Sequence, residues 1–82
     1  MQYFTKRIEV DRRFYGFYFN KIYTAEGIRY HISVVDKDRK AYSFKMKEEQ
    51  GRWVLVNKGN CPEWIAQIED QLSAIIKDNQ TD

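Results

Sequence analysis

Between Ile28 and Lys47 the chain alternates apolar and polar residues with a period of two, and beyond Pro62 the period becomes that of a helix. Ile28, Tyr30, Ile32 and Val34 fall on one side of a strand over 28–35, with Arg29, His31 and Ser33 on the other. Tyr42, Phe44 and Met46 repeat the pattern over 41–47, opposite Ser43, Lys45 and Lys47. Such alternation marks strands with one buried and one wet face. The charged stretch Asp36–Lys40 between them reads as a turn, so the two strands are antiparallel neighbours. Upstream, a strand over 3–10 sets Phe4, Lys6, Ile8 and Val10 against Tyr3, Thr5, Arg7 and Glu9, and Asp11-Arg12-Arg13 is a turn or a bend. A ring-rich strand over 14–23 follows, then the hairpin loop Thr24-Ala25-Glu26-Gly27, with Gly27 suited to positive φ. Glu48–Gly51 turns the chain into a last strand over 52–57.

The helix follows a break at Lys58-Gly59-Asn60. Asn60 or Cys61 offers a cap, Pro62 fits the first turn, and Glu63 lies near the positive end of the helix dipole. Ile65, Ile68, Leu72, Ile75 and Ile76 make one apolar stripe, with Glu63, Gln67, Asp70, Gln71 and Asp78 facing water. A striped helix and a half-apolar sheet need each other. The expected fold is therefore α+β: an antiparallel four- or five-stranded β-meander followed by one C-terminal α-helix packed on one sheet face. Its core comprises Phe4, Ile8, Tyr30, Ile32, Val34, Tyr42, Phe44, Met46, Leu55, Ile65, Ile68, Leu72 and Ile75. Trp53 packs with these and Trp64 lies at the sheet edge. One domain spans 1–78, and 79–82 form a polar tail.

The chemistry-bearing residues are few. His31 and Cys61 are the single histidine and the single thiol, far apart in sequence and on different elements. Zinc wants several Cys or His ligands, the glycines are scattered rather than gathered in a phosphate loop, and the acids sit in turns among lysines. The expectation is a chain that is not an enzyme and carries no cofactor or metal. One cysteine forms no intrachain disulfide and fits a reducing compartment. No apolar run is long enough to cross a membrane, so the expected setting is the cytoplasm, without membrane contact.

Charge divides sharply along the chain. Residues 1–59 carry thirteen Lys/Arg against seven acids, whereas 60–82 carry Lys77 against five acids. The basic part also holds every aromatic residue but Trp64. Over 14–23 both strand faces carry rings: Tyr15, Phe17, Phe19 and Tyr23 with Lys21 on one, Phe14 and Tyr18 with Gly16, Asn20 and Ile22 on the other. Which set points inward stays open, but some rings must share a face with Arg29, His31, Ser33, Lys45 and Lys47. Rings that stack on bases beside cations that meet phosphates form a platform for single-stranded nucleic acid. The candidate site residues are Phe14, Tyr18, Arg29, His31, Lys45 and Lys47. The alternative is a protein-interaction or homodimerisation module using the same rings, since strands favour aromatics in any case.

The order of elements from Tyr3 to Lys77, with its basic aromatic sheet, resembles that of the Pur-repeat, PC4-like and Whirly single-strand-binding proteins. That resemblance is one of architecture and carries no family motif onto particular residues. It implies a dimer that binds single-stranded DNA or RNA on its sheet. The same order is also similar to that of many small bacterial proteins, which implies no particular activity.

Overall fold

The computed structural model describes residues 2–79. Five strands, β1 (Tyr3–Val10), β2 (Arg13–Thr24), β3 (Gly27–Val35), β4 (Ala41–Glu49) and β5 (Arg52–Leu55), form one antiparallel sheet in the order β1-β2-β3-β4-β5. This is the expected meander, in its five-stranded form. Two-residue loops close the outer hairpins: Val10 faces Arg13 across Asp11-Arg12, and Glu49 faces Arg52 across Gln50-Gly51. All four loop residues have positive φ, from 51° to 85°. That is the mirror-image turn whose twist matches the strands it joins. The β3–β4 loop is organised by Asp36, whose Oδ1 accepts from the Asp38 and Lys40 N–H groups at 2.8 and 2.9 Å. The Lys40 N–H bond is the chief reason the Asp36 carboxyl sits below its ordinary pKa.

The register settles the face of β2. Tyr15, Phe17 and Phe19 point into the core, and Phe14, Gly16, Tyr18, Asn20 and Ile22 point the other way. Phe17, Phe19, Ile32, Met46, Ile65, Leu72 and Ile76 are fully buried. Phe4 stacks on Phe19 at 4.6 Å, and Tyr30 meets Trp53 edge-on at 5.0 Å. Phe4, Tyr42 and Ile75, expected in the core, lie half-buried against it, and Ile76 is the last helical residue fully inside.

Four further expectations are corrected. The helical segment is two pieces, α1 (Glu63–Ala66) and α2 (Glu69–Asp78), preceded by a single 3₁₀ turn at Lys58–Asn60. At the break the Ile68 N–H reaches back three residues to the Ile65 carbonyl rather than four. No proline or glycine sits there. The bend is tertiary in origin, since it lays α1 over the sheet while α2 runs along β5. The α1 N-cap is Pro62 itself, with no side-chain cap, rather than Asn60 or Cys61. β5 ends at Leu55 because Asn57 adopts a left-handed conformation, φ 58°. Trp64 is not at the edge: its ring lies 5.0 Å from Tyr15 and 6.2 Å from both Phe17 and Tyr42, spanning β2 to β4. Of the expected tail only Asn79 is described; 80–82 lie outside the described residues. Among the described residues no helix is long and apolar enough to cross a membrane.

The two sheet edges differ. Along β5 the Trp53 N–H donates to Ser73 Oγ at 3.0 Å and the Leu55 N–H to Glu69 Oε2 at 2.7 Å, both acceptors being on α2. Glu69 also holds Lys58 at 2.9 Å, and Arg52 pairs with Asp70. Burial alone pushes the Glu69 carboxyl up. The Leu55 N–H and the Lys58 ammonium outweigh it and hold the pKa below its usual value. Along β1 no comparable cover exists among the described residues.

Candidate nucleic-acid interface

Helices cover one face of the sheet and leave the other open. Residues directly opposite in neighbouring antiparallel strands share a face, so the register lays the open face out in rows. From the β1–β2 turn these rows are Glu9–Phe14, then Arg7–Gly16, then Thr5–Tyr18–Ser33–Ser43. Next come Tyr3–Asn20–His31–Lys45 and Ile22–Arg29–Lys47–Val54. Rows follow one another at about 7 Å, two strand residues apart. All six candidate residues stand on this face. Phe14, beside the β1–β2 turn, and Tyr18, between β1 and β3, are both about 60% exposed.

Gly16 makes the relief. A side chain there would meet nothing within 4 Å, so the face sinks between Phe14 and Tyr18. The resulting groove, about 900 Å³, is lined by Gly16, Tyr18, Thr5, Arg7, Ser33 and Val35 among others. The Arg7 guanidinium lies 4.8 Å from the centre of the Phe14 ring. One side of Phe14 is thus occupied by a cation. Tyr18 makes no ring contact with another described side chain through its exposed surface.

The cations gather beyond Tyr18. Lys45 is opposite His31, and Lys47 is opposite Arg29 in the next row. Like charges facing each other across strands destabilise a sheet, so the opposition of Arg29 and Lys47 is not one that folding alone favours. Lys47 is partly compensated by Glu49 at 3.3 Å, and Arg29 donates to the Ile28 carbonyl at 3.1 Å. Lys45 is exposed and has no ion pair among the described residues.

Folding brings His31 and Cys61 to one small cavity of about 340 Å³, together with Ser43, Lys45, Asn57 and Asn60. Burial, aided by the Glu69 charge, pushes the Cys61 thiol up, away from the thiolate a nucleophile needs.

One contributor escaped the sequence reading. Arg7 belongs to the face through the odd positions of β1, a parity that was legible once β1 was seen to alternate. Gly16 was placed by the sequence between Phe14 and Tyr18, and the register of β2 puts that set of three on the open face. Compared with known proteins, the chain matches no family model, no curated protein and no solved structure.

Proposed function

We propose that this chain is a non-enzymatic binding module whose open face takes single-stranded nucleic acid. The observation that carries the reading is the register: Tyr18 stands in the row beside His31 and Lys45, with Arg29 and Lys47 one row further on. Rings offer bases a stacking surface worth about 1–3 kcal/mol per base, with little regard to sequence. A duplex hides its base faces, so stacking of this kind selects a single strand. The opposed cations receive phosphates and release counterions as they do so. A bound polyanion also relieves the repulsion between Arg29 and Lys47.

The test is a fluorescence-anisotropy titration of labelled single-stranded DNA and RNA oligomers at two salt concentrations. Saturable binding that weakens at higher salt is expected. A Lys45→Glu/Lys47→Glu variant, still folded by circular dichroism, then loses it. No binding at low salt, or full affinity in that variant, overturns the proposal. The exposed rings and the groove would then point to a protein partner, the reading that exposed apolar surface otherwise favours.

A further inference from the structure

The β1 edge is uncovered among the described residues. The Lys21 N–H donates to the Gln2 carbonyl at 3.0 Å, and antiparallel pairing alternates between residues that bond across and residues that do not. Even-numbered residues of β1 therefore turn their backbone groups to β2, and Tyr3, Thr5, Arg7 and Glu9 turn theirs outward. No loop or side chain among the described residues takes these groups, whereas on β5 Ser73 and Glu69 take the corresponding ones. Thr5, Lys6, Arg7 and Glu9 are all exposed.

We infer that β1 pairs antiparallel with β1 of a second copy of this chain, about a two-fold axis passing at Ile8. Opposed residues must share a face, so the axis passes through a residue and each position meets one of like parity. Centred on Ile8, Arg7 of each copy faces Glu9 of the other, Lys6 faces Val10, and Ile8 faces Ile8. Centring on Lys6, Arg7 or Glu9 sets a charge against its own kind. Centring on Thr5 avoids that but forms no ion pair. Charge complementarity thus selects the Ile8 register. The axis stands perpendicular to the sheet, so both open faces lie on one side and both helical layers on the other. The inference does not depend on what the open face binds.

Analytical ultracentrifugation of the full chain over micromolar to millimolar concentration tests it. The wild type is expected in reversible monomer–dimer equilibrium. Arg7→Glu and Glu9→Arg each set like charges opposite and weaken the dimer on the order of tenfold. The Arg7→Glu/Glu9→Arg double variant restores it. Because both side chains are exposed, all three variants keep the wild-type circular-dichroism spectrum. Hydrogen exchange of the unaltered protein gives a reading free of mutation: the Arg7 and Glu9 amides become protected as concentration rises. A wild type that stays monomeric overturns the inference. So does a dimer indifferent to the single changes, or one in which those amides exchange at the same rate at every concentration.

Discussion

Phe17 and Tyr18 are neighbours in one strand, yet the first is sealed from solvent and the second is more than half exposed. Every strand of the sheet repeats this contrast. On the covered face, side chains from all strands and both helices form one core, and rings such as Phe4 and Phe19 or Tyr30 and Trp53 meet each other. On the open face, rings stand apart across Gly16, and cations face cations. The covered face is arranged for its own stability. The open face has features a folding chain does not need, and for that reason the proposed site is set there.

The largest test of this division is Phe17→Ala, expected to cost about 3–5 kcal/mol in urea denaturation through the cavity it leaves. Tyr18→Ala should stay within about 0.5 kcal/mol, as an exposed position does, while weakening oligonucleotide binding. Comparable losses from both would erase the distinction between the faces.

At the helix-covered edge, Glu69→Ala leaves the Leu55 N–H without its acceptor, and a loss of about 1–3 kcal/mol is expected. The same carboxylate makes that edge sensitive to acid. Its folded pKa is depressed, so its contribution is complete above the unfolded value of about 4.3 and is lost as pH falls through the lower folded value. Stability of Glu69→Gln against pH should fall less steeply there than that of the wild type. Identical acid limbs would show that Glu69 titrates as it does in the unfolded chain.

The one expected gain in stability is the most telling about function. Gly16→Val adds a branched side chain to the strand interior where nothing obstructs it. Stability should rise by up to about 1 kcal/mol, and the filled groove should no longer accept a base. Gain of stability with unchanged binding would detach the groove from the proposed site.

The strands and the apolar stripe were legible because each imposes a period on the sequence. The inward face of β2 was not, because Phe14 and Tyr18 alternate with Tyr15, Phe17 and Phe19, and a period of two is silent when both phases carry rings. What decided it was pairing: Phe19 lies opposite Phe4 and Ile32, both apolar, whereas Tyr18 lies opposite Thr5 and Ser33. The break at Gln67–Ile68 left no local trace either, since both residues suit a helix interior. It reflects contacts to β5 and to the rings around Trp64, which only the folded chain assembles. Arg29, His31, Lys45 and Lys47 were legible as one face, but the opposition of Arg29 and Lys47 was a matter of register.

The hydrogen bonds from Trp53 and Leu55 to α2 have a consequence for assembly as well as for stability. Endless growth by strand addition, the route to fibres, requires each copy to offer two receptive edges. Here Ser73 and Glu69 already occupy the backbone donors of one edge. A second copy joined at β1 presents the same occupied edge at its far side, so the polymer terminates as soon as it begins.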